Sequence, residues 1–193
     1  MAIITQQLNP IQVLGSASDF LDPEAIIEKL DIHPGMRIGD FGSGSGFMAL
    51  SLAKKVGDSG IIYAVDILDS ALETLRAKAN ALGLANIQTL RGNLEVPGGC
   101  GLNDESQDLV LLVNILFQND KKDAIAREAK RVLKASSLLV VVDWAKSTEA
   151  LGPPQELRTD KQAMQAIVTG VDFQFEKEID AGKFHYGLVF RKP

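Results

Sequence analysis

The sequence predicts an α/β fold: a three-layer sandwich whose sheet of about seven strands is mostly parallel, with the last strand antiparallel. Short apolar runs of strand length alternate with stretches of helical periodicity along most of the chain. The first strand runs into a glycine-rich turn that opens a helix, Asp40-Phe-Gly42-Ser-Gly44-Ser-Gly46. Near the end, only Asp180-Ala-Gly-Lys183 separates two strand-like runs, a link that permits a hairpin but no parallel crossover.

The elements follow in order. Asp22-Pro23-Glu24 opens a helix, with Asp22 as N-cap and proline in the first turn, running to about residue 30. His33-Pro34-Gly35 turns the chain into a first strand over 36–40. After the glycine loop, a helix over 47–56 is stopped by Gly57, and a strand follows over 61–66. Ser70-Ala-Leu-Glu73 reads as a capping box, and Leu72, Leu75, Ala79 and Leu82 form one apolar face before Gly83. A strand over 87–91, a loop rich in glycine and proline over 95–104 and a strand over 108–113 come next. A helix over 122–133 turns Ile125, Ala129, Val132 and Leu133 inward, and the turn Lys134-Ala-Ser-Ser137 leads to a strand over 138–143. A long loop over 146–159 precedes a short helix over 160–168, then strands over about 172–179 and 184–191. Apolar strands flanked by helices imply a sheet buried on both faces.

Composition sets the limits. The 193 residues, 46% of them hydrophobic with a formal net charge of -5, suit one domain over 1–193, with 1–34 as an N-terminal segment and helix able to act as a lid. No apolar run approaches the roughly 18 residues of a membrane span. The N-terminus lacks the basic start and apolar core of a secretory signal, so a cytoplasmic protein is expected. One cysteine, Cys100, excludes an intrachain disulfide and a thiolate metal site. Net acidity argues against nucleic acid as a partner, because phosphate contacts need clustered lysine and arginine.

A strand, a glycine turn and a helix N-terminus bring free backbone N–H groups and a positive dipole end against a ligand. A phosphate-cradling loop of the nucleotide-triphosphate type needs a lysine directly after its glycines, and none follows until Lys54. Gly44-Ser-Gly46-Phe-Met-Ala49 does match a dinucleotide-binding turn, and Asp66 lies about twenty residues on, where a ribose-binding acid is expected. A nicotinamide-dependent oxidoreductase of Rossmann type therefore stays open as an alternative. Asp40 favours another ligand: a carboxylate at the end of the first strand gains nothing from a pyrophosphate but can bond an ammonium group. S-adenosylmethionine carries such a group and no phosphate, and the chain leaves little room for the substrate domain that a dehydrogenase usually adds.

With these residues in view, the sequence resembles the class I S-adenosylmethionine-dependent methyltransferases, whose fold is Rossmann-like. The likeness runs through Asp40-x-Gly42-x-Gly44-x-Gly46, Tyr63-Ala-Val-Asp66, Gly92-Asn93-Leu94-Glu95, Asp108-Leu-Val-Leu-Leu-Val-Asn114, Glu128-Ala-Lys-Arg-Val-Leu-Lys134 and Val140-Val-Val-Asp-Trp144. Gly152-Pro-Pro154 and His185-Tyr-Gly-Leu-Val-Phe190 resemble a small prokaryotic-type subgroup near the ubiquinone/menaquinone-biosynthesis branch. The resemblance implies S-adenosylmethionine as cofactor. It places Asp40 toward the methionyl amino group and the loop of Gly42, Ser43, Gly44 and Gly46 against that moiety. Asp66 would accept from the ribose hydroxyls, Ile67 pack on the adenine, Asn93 and the Leu94 amide reach the base, and Asn114 line the methionyl end. Asn93 stands where the family usually has aspartate. Lys134-Ala-Ser-Ser137 and Gly170-Val-Asp-Phe173 also depart from its usual patterns.

Methyl transfer is an in-line displacement from a sulfonium carbon, which asks the protein to align the reactants, exclude water and, where needed, remove a proton. No metal is demanded. Ligands of such sheets sit beyond the carboxyl ends of the strands, where Asn114, Gln118, Asp143 and Trp144 are expected, with His185 and Tyr186 brought there by the reversed last strand. His185 is the candidate base, since histidine titrates near neutrality, and Asp143 is a second catalytic candidate. A structural role for each, and plain packing for Trp144, stand beside these readings. Arg158 is expected to approach from above. The Asn114-Ile-Leu-Phe117 run lacks the prolines of DNA amino-methylating enzymes, and a single cysteine does not suit arsenite. The function expected is methyl transfer to a small, partly apolar acceptor, capped by residues 9–21 and the loop around Gly152-Pro-Pro154. A cofactor-binding module without turnover is the remaining alternative.

Overall fold

The computed structural model describes residues 21–146 and 151–193, so the expected cap over 9–21 lies, but for Leu21, outside the described residues. In chain order the elements are α1 (Pro23–Ile27), β1 (Arg37–Phe41), α2 (Ala49–Val56), β2 (Ile61–Asp66), α3 (Asp69–Ala81), β3 (Ile87–Arg91) and β4 (Gln107–Val113). A 3-10 turn (Leu116–Gln118), α4 (Lys122–Val132), β5 (Leu133–Trp144), α5 (Lys161–Thr169), β6 (Gln174–Ile179) and β7 (His185–Arg191) follow. They build one seven-stranded sheet in the order β3-β2-β1-β4-β5-β7-β6. β3, β2, β1, β4 and β5 run parallel, and β7 runs antiparallel to both β5 and β6, as the short link before it requires.

Alternation within the central strands explains the three layers. Phe41, Val110, Leu112, Leu139 and Val141 face α4 and α5, meeting Ile125, Ala129, Val132, Met164 and Val168. Their neighbours Ile38, Leu109, Leu111, Val140 and Val142 face the other way, onto Ile26, Ile27, Leu52, Ala53 and Val56 of α1 and α2. Both faces of these strands are thus dry, which is why their sequences read as unbroken apolar runs. β6 is the exception. It lies at the sheet edge, carries mostly exposed residues, and anchors its charges in Arg191–Glu176 and Lys161–Glu178 pairs at 2.6 and 2.8 Å. Among the described residues no helix is long and apolar enough to cross a membrane.

Three local expectations are corrected. α3 starts at Asp69, with Leu68 at the N-cap, so Ser70 lies inside the helix; the exposed amide of Leu68 is met by Asp66 Oδ1 at 2.9 Å instead of by a capping box. β5 starts at Leu133 rather than 138. Leu133 pairs with Gln107, and after an irregularity Leu138 pairs with Leu109, while Ser136 takes a φ of 63°. The expected turn over 134–137 is therefore an excursion within a strand, held by Ser136 N–H to Lys192 O (3.0 Å) and Lys192 N–H to Ser137 O (2.9 Å). β6 starts at Gln174, because Asp172, at φ 62°, still belongs to the turn that ends α5. Asp22 and Asp160 do cap α1 and α5, accepting from the Glu24 and Gln162 amides at 3.0 and 2.9 Å.

Candidate active site

The loop between β1 and α2 crosses the carboxyl end of the sheet, tied to β2 by the Gly42 and Ser43 amides, which donate to Val65 O at 2.8 and 3.1 Å. Its glycines do different work. Gly42 has a φ of 74°, and a Cβ there would stand 2.3 Å from Ile115 Cδ1; a Cβ at Gly46 would stand 2.3 Å from Leu75 Cδ1. Both are needed for close packing. Gly44, at φ 52°, has nothing within 4 Å of its Cβ position, because it faces open space.

That space is a cavity of about 630 Å³ at the ends of β1, β2 and β4. Of the residues singled out in the sequence, Gly42, Ser43, Gly44, Asp66, Ile67, Asn93, Leu94 and Asn114 line it. Asp66, ending β2, accepts from the Gly44 amide through Oδ2 (2.8 Å) and from the Leu68 amide through Oδ1 (2.9 Å), so it fixes the loop it faces while each oxygen keeps a second lone pair. Asn93 Oδ1 accepts from the Glu95 amide at 2.9 Å, which turns the wall around Leu94. Asn114 follows β4 with a φ of 54°, its amide bonded to Val142 O at 2.9 Å. A non-glycine residue held in that region at a cavity wall marks a constrained position. Ser45, Phe47, Leu68, Ala71, Gly92, Glu95, Ile115, Gln118, Asn119 and Ile125 also contribute. Sequence reasoning had placed Gln118 on this side of the sheet. The exposed apolar rings and chains of Phe47, Ile67 and Leu68 ring the mouth, a signal that only the folded loop reveals.

Asp40 and Gly46 are not on the wall. Asp40 lies beneath the loop, 2% exposed, with Oδ2 lacking a hydrogen-bond partner. Burial pushes its carboxyl up to about 7, opposed by the Ala49 amide and reinforced by the charge of Asp66. Ser43 Oγ and Asn114 Oδ1 are likewise buried acceptors without a partner. These oxygens beside a loop backbone, a carboxylate at the end of β2 and apolar groups at the mouth fit the ammonium, ribose and purine of S-adenosylmethionine. They fit a dinucleotide poorly, since the Gly42, Ser43, Gly44 and Gly46 amides that would meet a pyrophosphate already donate within the protein, to Val65 O, Asp66 Oδ2 and Ser43 O.

The two catalytic candidates sit at the expected end of the sheet but off this cavity. His185 pairs across strands with Trp144, and their ring centroids are 4.2 Å apart. It lines a separate depression with Asp160, Lys161 and Tyr186, and neither of its ring nitrogens has a hydrogen-bond partner. Burial, assisted by the charge of Arg158, lowers its pKa to about 4, so it is neutral at physiological pH and a weak base. Asp143 is buried, accepts from the Trp144 amide at 2.8 Å and is pushed by burial up to about 6, against the pull of the Trp144 and Phe117 amides. Its other oxygen, Oδ2, is buried without a hydrogen-bond partner. Arg158 does not approach the cavity from above. It is buried, donates to Pro153 O and Ala145 O, both at 2.9 Å, and to Leu151 O, and lies 5.6 Å over the Trp144 ring. The face of Trp144 thus serves an internal cation, and Gly152 packs on the same ring so closely that a Cβ would come within 2.4 Å.

A family model described as a methyltransferase domain matches residues 32–187. The ubiquinone/menaquinone biosynthesis C-methyltransferase UbiE of Shewanella oneidensis is 31% identical over 121 residues, 62% of this chain and 47% of that protein. The chain spans about half the length of the curated relatives it matches. A crystallised SAM dependent methyltransferase from Aquifex aeolicus superposes with a TM-score of 0.83 at 26% identity, covering 91% of this chain and 92% of the other. The cyclase SpnF, with a TM-score of 0.76 but 16% identity over 89% of this chain and 80% of its own, shares the fold alone.

Proposed function

This chain belongs to the S-adenosylmethionine-dependent methyltransferase family, and from that premise we propose that it transfers a methyl group from S-adenosylmethionine to a small, partly apolar acceptor. The observation that carries the reading is the cavity in which Gly44 opens toward Asp66 and the partnerless oxygens of Ser43 and Asn114. S-adenosylmethionine supplies a methyl group activated by its sulfonium. The chain's own residues bind and align. Asp66, already fixed by the Gly44 and Leu68 amides, accepts the ribose hydroxyls; the Gly42–Gly44 backbone and Asn114 hold the methionyl end; Ile67 and Leu94 pack the base. Asp40 acts from beneath the loop, its charge favoured when a cation lies above it.

Among the described residues no histidine, lysine, cysteine or tyrosine lines the cavity. Asp66 and Glu95 are the titratable groups on the described wall, and methylation of a ring carbon or a phenol oxygen must pass its proton to such a carboxylate or to water. Phe47 and Leu68, exposed at the mouth beside the base-packing Ile67, leave apolar surface for a ring compound as acceptor. The likeness to the Shewanella protein, a C-methyltransferase of ubiquinone/menaquinone biosynthesis, supports an electron-rich ring as the first class to try. Incubation with methyl-labelled S-adenosylmethionine and a panel of phenols and quinols tests this: label in an organic acceptor supports it. That His185 and Asp143 both lie off this wall favours a second reading, a module that binds the cofactor without turnover. Binding of S-adenosylhomocysteine with no transfer to any acceptor class would select that reading instead.

A further inference from the structure

The geometry points to Glu128 as a positioning residue of the donor site assigned above: its buried carboxylate fastens the loop after β3 to α4 and so fixes the cavity wall over 92–95. Glu128 is 2% exposed. Its Oε2 accepts from the Gly98 amide at 2.9 Å and its Oε1 from the Cys100 amide at 3.1 Å. Arg131, one turn on, donates to the same two oxygens at 2.9 and 2.8 Å in the fork geometry of a guanidinium–carboxylate pair, and its remaining nitrogen pairs with Asp104. Burial would raise the Glu128 carboxyl, but these donors outweigh it and hold the pKa down at about 2, so the group is charged whenever the protein is folded near neutrality.

The clasp reaches the cavity through the backbone. Between the two fastened amides, Gly99 O accepts from the Asn93 amide at 3.0 Å, and Asn93 O accepts from Val96 at 3.3 Å. A Cβ at Gly99 would lie 2.1 Å from Asn93 O, and one at Gly92 would lie 2.6 Å from Gly99 O, so the two arms of the loop are in direct contact. Residues 98 and 99 are off the cavity wall, whereas 92–95 form part of it. Moving the outer arm must move the inner one. A purely stabilising contact would not need an ion pair, since a buried pair is weak support for stability compared with apolar packing. What an apolar residue cannot provide is two acceptors aimed at two loop amides.

Glu128→Gln keeps the shape but presents one acceptor and one donor where two N–H groups point, so one amide loses its partner. Calorimetric titration of the full chain with S-adenosylhomocysteine is expected to give a Kd about tenfold weaker for the variant than for wild type. Amide exchange over 92–100 should quicken while that of β1 stays unchanged. A lower melting temperature with an unchanged Kd would overturn the proposal, because an anchor that only stabilises moves the first and not the second. If the variant does not fold, the wild-type chain still decides. Bound S-adenosylhomocysteine should slow exchange of the Gly98 and Cys100 amides, which touch it only through the loop, and no slowing would overturn the role of Glu128. A wild-type chain that binds no S-adenosylhomocysteine sinks the donor-site reading itself, and this role with it.

Discussion

Gly42 and Gly44 are two residues apart, share a positive φ and face different surroundings, so alanine at each separates packing from ligand contact. Gly44→Ala places an L-residue at φ 52° with no atom within 4 Å of the new methyl, so the cost is conformational, about 1–2 kcal/mol. In a domain of this size each kcal/mol lowers Tm by roughly 2–4 °C, so a fall of about 2–8 °C is expected. Gly42→Ala meets the same conformational cost at φ 74° and drives a methyl to 2.3 Å from Ile115 Cδ1. Overpacking adds about 1–3 kcal/mol, so its Tm should fall further than that of Gly44→Ala. Affinity should show the reverse order relative to stability. The Gly44 methyl protrudes into the cavity where the methionyl group is assigned, and its Kd for S-adenosylhomocysteine should weaken by at least about tenfold, measured calorimetrically on the folded variant. Wild-type affinity in Gly44→Ala would refute the claim that this backbone meets the ligand; equal Tm losses in the two variants would refute the packing assignment of Gly42.

Other expectations follow from neighbouring groups. Asp66→Ala removes the acceptor of the Gly44 and Leu68 amides, and should abolish most of the thermal stabilisation by S-adenosylhomocysteine while lowering stability by about 1–3 kcal/mol, read by denaturant titration. For Asp40, a folded pKa of about 7 against an unfolded value near 3.8 means the folded state holds the proton more tightly, so its contribution to stability is full below pH 3.8 and fades as pH rises to about 7. Asp40→Asn should therefore flatten the fall in stability over that window, and wild-type affinity for S-adenosylhomocysteine should increase as Asp40 ionises through pH 7. Arg158→Met removes the charge that helps depress His185, so the His185 titration followed by NMR should move upward from about 4; an unmoved midpoint would show that burial alone sets it.

The sheet was legible because its period is simple. Strands over 61–66 and 87–91 match the apolar pattern, and the short link between β6 and β7 settled the direction of β7. Boundaries failed where tertiary bonds override local signals: Ser70 reads as a cap, but Asp66 reaches the Leu68 amide first, and Ser136 reads as a turn, but Lys192 holds it to the sheet. The cavity was legible as an order of motifs, since Gly44, Asp66, Asn93 and Asn114 each end or follow a strand and parallel strands bring their carboxyl ends together. Position across the sheet was not. His185 is at the right end of β7, yet β7 lies beyond β5, away from the glycine loop. Asp40, the residue whose charge separated the two cofactor readings in the sequence, lies buried off the cavity wall. Glu128 belonged to a recognisable motif, but its role depends on a loop fold that spacing does not disclose.

Calorimetric titration of the wild-type chain with S-adenosylhomocysteine and, separately, with nicotinamide dinucleotides tests the central claim most directly. Saturable one-site binding of S-adenosylhomocysteine, with no heat from the dinucleotides, is the result expected of a glycine loop whose amides already donate within the protein beside the carboxylate of Asp66. Selective binding of a dinucleotide would contradict it.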